Sequence, residues 1–189
     1  MSESDQRYLL HVAAAAVRAE VEGRPRPSLD PQRWPDPTPR GAFVTIHHFG
    51  RLRGCIGTFR AVRPLPETVQ EMAAAAVCDP RFVDDPLRPD ELPDLDLDIS
   101  LLSPLVRTND PLSLQVGLHG IFFRRGESSG CYLPHVATEA GWDARTFLSH
   151  CCATKARTSP DAWREPDAEV YLFTTEAIHG RFCDAERGD

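Results

Sequence analysis

Six prolines stand between Arg24 and Gly41, in the stretch RPRPSLDPQRWPDPTPRG. Each fixes φ and removes a backbone donor, so neither a helix nor a central strand fits there. The stretch reads as an extended connection that wraps the surface, with Trp34 as its anchor. A flexible linker is the alternative, but it would leave the preceding helix without a partner for its apolar stripe. That helix is marked by Ser4 as N-cap, by Asp5 in its first turn, and by Leu9, Val12, Ala13, Ala16 and Val17 at helical spacing. Gly23 ends it.

Downstream, AFVTIHHF and LRGCIGTF read as a β-hairpin about Gly50-Arg51, with glycine first in a type II′ turn. LPETVQEMAAAAVC is a second helix, with Pro66 at its start and Val69, Met72, Ala73 and Ala76 on one face. DLDLDISLLS alternates Leu95, Leu97, Ile99 and Leu101 with Asp94, Asp96, Asp98 and Ser100, the pattern of a half-buried strand. Two or three short strands follow over residues 113–133, then a helix capped by Asp143, then one final strand over 168–178. There is no βαβ rhythm. The pattern predicts an α+β fold, a mainly antiparallel sheet flanked by helices, in a single domain over residues 1–189.

No run approaches the roughly 20 apolar residues of a membrane span. The start, MSESDQRYLL, lacks the basic beginning of a secretory signal, so the expected compartment is the cytoplasm. The six cysteines form no CxxC pair, and adjacent Cys151 and Cys152 suit neither a disulfide framework nor a zinc ribbon. Most are expected to be reduced core residues.

The chain carries a formal net charge of −7, with 28 acidic residues in 189, yet Pro37 to Pro66 holds no acid. At the average density that stretch would hold about four. It carries Arg40, Arg51, Arg53, Arg60 and Arg63. Such a run suggests a site for a small anion or an acidic partner; a solvated surface that lacks acids is the other reading. Nucleic-acid binding is opposed by the overall charge and by the lack of a recognition motif.

Within this run lies RLRGCIGTFRAVR, one cysteine between two glycines. If Phe49 pairs with Leu52, then His48 lies opposite Arg53 and Ile46 opposite Cys55. Val44, Ile46, His48, Arg53, Cys55 and Gly57 would then share one face. Arg53 would favour the thiolate of Cys55, and His48 could take its proton. Gly54 and Gly57 would leave room beside the sulfur. Alternatively Cys55 is a small residue packed under a helix. A one-residue slip would turn His48 off that face.

Asp79 and Arg81, in DPRF, form a turn, with Asp79 capping it or pairing with Arg81; cation binding is the other role open to Asp79. The Asp94, Asp96 and Asp98 stripe reads as a solvent face, not a metal comb. His119, between glycines, is a ligand or base, or a turn residue. His135 and His150 have no partner at ligand spacing. The P-loop and the GxGxxG fingerprint are both absent. No metal and no cofactor are indicated.

GAFVTIHHFGRLRGCIGTF resembles the signature of the AMMECR family, the A protein of the AmmeMemoRadiSam system. DPRF, ELPDLDLDISLLSPL, GLHGIFFRRG, YLPHVATEAGWDARTFL and DAW follow in the family's order. The likeness covers roughly Gly41 to Phe173, and the LRGCIG hexapeptide is its most specific part. The family usually has lysine where His47 and His48 stand, so a histidine–thiol pair is not a family trait, whereas an electropositive neighbour is. Arg53, Gly54, Cys55 and Gly57 carry over directly. The resemblance implies a two-lobed α+β fold with LRGCIG near a cleft. It implies association with a Memo-like, extradiol-dioxygenase-like protein and with a radical SAM enzyme. It implies no particular reaction. Two classes stay open. One is an accessory protein docking on such a partner. The other is a cysteine-dependent enzyme acting on a small anion, with Cys55 and Arg53 central and His119 and Asp79 as outer candidates.

Overall fold

The computed structural model describes residues 1–59 and 61–187; Arg60 of the acid-free run lies outside the described residues. In chain order the elements are α1 (Glu3–Val21), β1 (Ala42–His48), β2 (Arg51–Thr58), α2 (Leu65–Val77), β3 (Leu95–Leu102), β4 (Val106–Thr108), β5 (Gly120–Arg125), β6 (Ser128–Tyr132), α3 (Pro134–Glu139), α4 (Ala144–His150), β7 (Glu169–Phe173), β8 (Thr175–Arg181) and α5 (Phe182–Arg187). They form two four-stranded antiparallel sheets flanked by helices, in the orders β2-β1-β3-β8 and β4-β7-β5-β6. The chain divides into two units, Met1–Leu101 with Glu176 onward, and Leu102–Thr175. No helix among the described residues is long and apolar enough to cross a membrane.

In the first unit, α1 buries Leu9, Val12, Ala13, Ala16 and Val17, as its spacing predicts. Its cap is Ser2, not Ser4: Ser2 holds an extended backbone and its Oγ accepts the Asp5 N–H at 3.1 Å. Gly23 follows the helix at φ 64°. The proline stretch is anchored, not loose. Trp34 packs on the core and stacks with Tyr8, Gln70 Nε2 donates to the Pro27 carbonyl at 2.7 Å, and Pro39 bridges to Pro64.

β1 pairs antiparallel with both β2 and β3. Ala42, Val44 and Ile46 of β1 share the core face with Leu95, Leu97, Ile99 and Leu101 of β3, all fully or almost fully buried. α2 packs on β1 and β2, while α1 packs on α2 and α5. The alternation of β3 is thus a true inside–outside pattern.

The second unit's core holds Ile121, Phe123, Phe147, Leu148, Trp163 and Val170 with Cys151 and Cys152. α4 is capped by Asp143, whose carboxylate accepts the Thr146 N–H at 2.7 Å, and continues as a π-helical turn over Cys151–Lys155. Burial pushes the Cys151 thiol up, and that of Cys152 up to about 11. The single final strand expected over 168–178 is two strands in different sheets. The break is at Thr174, which exchanges hydrogen bonds with Ser103. The short elements β4, α3 and α5 carry too few residues to announce a period.

Candidate functional site around Cys55

The hairpin turns one residue earlier than expected. Phe49 and Gly50 are its central pair, with φ of 49° and 76°, the signs of a type I′ turn. His48 therefore faces Arg51 and His47 faces Leu52. A bulge between Ile46 and His47 then sets Ile46 opposite Gly54 and Thr45 opposite Cys55. The expected pairs, His48 with Arg53 and Ile46 with Cys55, do not form. The shift puts Cys55 on the outer face with Thr45, away from the buried row of Val44 and Ile46.

The glycines explain this register. A Cβ on Gly54 would run into the Ala76 carbonyl at the end of α2, so only glycine fits under the helix there. A Cβ on Gly57 would enter the Phe43 ring. The space expected beside the sulfur is therefore filled by packing.

Cys55 is half-buried, and its Sγ accepts a hydrogen bond from the Thr45 hydroxyl at 3.2 Å. Its N–H donates to Asp79 Oδ2 at 3.0 Å, and its carbonyl accepts from Arg81 Nη2 at 3.3 Å. β2 is an edge strand, so Asp79 and Arg81 occupy main-chain groups that a further strand would otherwise take. Asp79 is 2% exposed. It accepts from the Arg81 backbone N–H at 3.1 Å and from Arg81 Nη2 at 2.6 Å. The bound Arg81 guanidinium, helped by the N–H of Cys55, holds the Asp79 carboxyl down at about 2. Asp79 in turn raises Arg81. The cation bonded to the main chain of Cys55 is thus Arg81.

Arg53, expected there, is 4% exposed and turned elsewhere. Nη1 donates to Asp85 Oδ2 at 3.0 Å, and Nη2 donates to the carbonyls of Asp85 and Pro86 and to Glu91 Oε2. Glu91, itself 4% exposed, also accepts the Arg88 N–H at 2.9 Å. His48 Nδ1 lies 3.4 Å from Glu91, and Arg51 pairs with Asp85 at 3.1 Å. His48, Arg51 and Arg53 therefore form a clamp on the 85–91 segment and are not the thiol's partners.

Among the described residues the cationic patch also dissolves. Arg40 pairs with Glu176, Arg51 with Asp85, Arg53 with Asp85 and Glu91, and Arg63 with Glu67. The missing acids come from elsewhere in the chain. His119, in the second unit, accepts the Gln115 N–H on Nδ1 at 3.0 Å and closes a turn.

Sequence reasoning missed Thr45 and the row beyond it. Thr45 lies between Cys55 and Asp98 across the sheet. Asp98 meets His47 Nδ1 at 3.2 Å and His179 Nδ1 at 2.7 Å. Placing Cys55 opposite Ile46 hid this row; the alternation of residues 94–100 was the only available signal for Asp98. Among the described residues no group of three or more His, Cys, Asp or Glu could hold a metal ion.

A family model described as AMMECR1 matches residues 10–178. The chain is 37% identical over 192 residues to a protein of Methanothermobacter thermautotrophicus, covering 95% of this chain and 96% of that one. It is 37% identical over 181 residues to protein MK0488 of Methanopyrus kandleri, covering 90% and 86%. The crystal structure of protein PH0010 from Pyrococcus horikoshii matches with a TM-score of 0.85 at 30% identity, covering 94% of this chain and 92% of that one.

Proposed function

The chain belongs to the AMMECR1 family, and from that premise we propose that it is a cytoplasmic, non-catalytic accessory subunit. Its partners are a Memo-like, extradiol-dioxygenase-like protein and a radical SAM enzyme. The supporting observation is the state of the LRGCIG strand. Its backbone is pinned by Asp79 and Arg81, its arginines are neutralised internally, and the hydrogen bond to its sulfur comes from a hydroxyl, not from a base. Nucleophilic catalysis by a thiol is best served by an adjacent general base. A strand whose backbone is pinned in this way suits presentation to a partner better.

The test is direct titration of the purified chain with the Memo-like protein of the same organism. The two are expected to form a complex that Cys55→Ser leaves intact. Because the arginines are already paired, the affinity is expected to change only modestly between low and physiological salt. No complex, or a steep salt dependence, counts against this reading.

A second reading has one observation behind it: the Arg81 guanidinium held against the main chain of Cys55. On that reading the chain is a cysteine-dependent enzyme with a small anionic substrate. It predicts an alkylation-rate profile for Cys55 with its midpoint below the free-thiol value of about 8.5, moving up in Arg81→Ala. A profile like that of free cysteine removes it. The nucleic-acid reading needs unpaired cations in the acid-free run, and the described arginines there have carboxylate partners.

A further inference from the structure

We propose that the β1–β2 hairpin tip is a docking knob, with Phe49 as its anchor. Its partner is a folded protein offering an apolar pocket wide enough for a benzyl ring and a carboxylate at the rim. The proposal rests on the accessory-subunit reading above and names the surface that reading requires.

Two unfavourable features coincide at Phe49. Its backbone lies in the left-handed region at φ 49°, where a type I′ turn selects asparagine, aspartate or glycine. Its ring is 76% exposed, in contact with the His48 ring at a centroid distance of 4.4 Å. Asn-Gly would satisfy the same turn without placing an aromatic ring in water. Neither turn chemistry nor core packing accounts for phenylalanine here. A strained residue that is also an exposed aromatic points to a contact made outside the chain.

The tip is held for display. His48 leans on Glu91, Arg51 on Asp85, and Arg53 is buried in the same carboxylates just behind the turn. A knob fixed in advance loses little freedom on docking. Arg51, two residues from Phe49, has a side chain 69% exposed and donates one hydrogen bond, to Asp85. Its remaining donors face solvent, which is why the partner's rim carries an acid. An aromatic ring next to an arginine is the composition of an interface hot spot. The Arg51–Asp85 pair also brings up the segment that carries exposed Val83 and exposed Asp84. Val83 is a second exposed apolar side chain on that segment, and Asp84 disfavours an anionic lipid surface as the occupant.

The decisive variant is Phe49→Asn. It is expected to raise Tm by about 2–4 °C, since Asn-Gly suits the turn. It is expected to weaken binding to the Memo-like protein about 30-fold, while Phe49→Leu, which keeps an apolar knob, loses less. A fall in Tm for Phe49→Asn overturns the proposal, because the ring would then serve the fold. Binding that survives Phe49→Asn overturns the tip alone, whereas a wild-type chain that does not bind overturns both readings. Self-association, or co-sedimentation with phosphatidylglycerol vesicles, that disappears in Phe49→Asn overturns it in favour of a second copy or a lipid surface.

Discussion

Arg53 belongs to the LRGCIG strand and Arg81 reaches it from outside; both end on carboxylates, yet they do different work. Arg53 is sealed among Asp85, Pro86 and Glu91. Arg81 lies half in solvent, holding Asp79 with one edge and the Cys55 carbonyl with another. An arginine in a conspicuous motif is thus not a ligand site by virtue of its charge. Burial decides, because Arg53 is 4% exposed and both of its terminal nitrogens are engaged by the 85–91 segment, which leaves only a sealed Nε without a partner.

Removing these groups one at a time separates the two roles. The largest effect is expected for Arg53→Ala, which strands Glu91 and loosens the 85–91 segment; a loss of about 3–5 kcal/mol should appear in urea unfolding. A loss under about 1 kcal/mol would make the buried clamp no stronger than a surface pair.

Asp79→Asn comes next. The carboxyl is ordinarily at 3.8 and stands at about 2 when folded. A depressed acid stabilises the fold above its ordinary value and stops doing so as pH falls from about 4 through 2. That difference is worth about 2 kcal/mol at neutral pH. The variant should lose that amount at pH 7 and show a flatter acid limb in a pH series of unfolding free energies. A parallel acid limb would assign the acid sensitivity to other carboxylates.

The smallest effect on stability belongs to Arg81→Ala, about 1–2 kcal/mol: it leaves the buried Asp79 carboxylate without its cation, but the guanidinium itself lies half in solvent. Its consequence should be read at the thiol instead, as slower alkylation of Cys55 at neutral pH. Equal rates in wild type and variant would leave the sulfur electrostatically indifferent to Arg81.

Much of the fold was legible. The apolar stripes of α1 and α2 and the alternation of β3 are periodic over enough residues to identify element and buried face together. The short elements were not legible, nor was the split of residues 168–178, because a chain that changes sheets at Thr174 keeps strand composition on both sides. Of the candidate site, the Asp79–Arg81 pair was readable because its members are two residues apart. Thr45 as the sulfur's partner was not. It depended on a bulge, and a bulge leaves no periodic trace.

By itself the sequence determined the α+β class, the core faces of the long elements, and the family, through the specific run Leu52 to Gly57. Only the tertiary structure decided which way Cys55 faces and what becomes of the acid-free run. Side chains on a strand alternate with a period of two, so one bulged residue exchanges inside for outside. Charges pair through space, so Asp85, Glu91 and Glu176, remote along the chain, neutralise arginines that stand without an acid among their own neighbours.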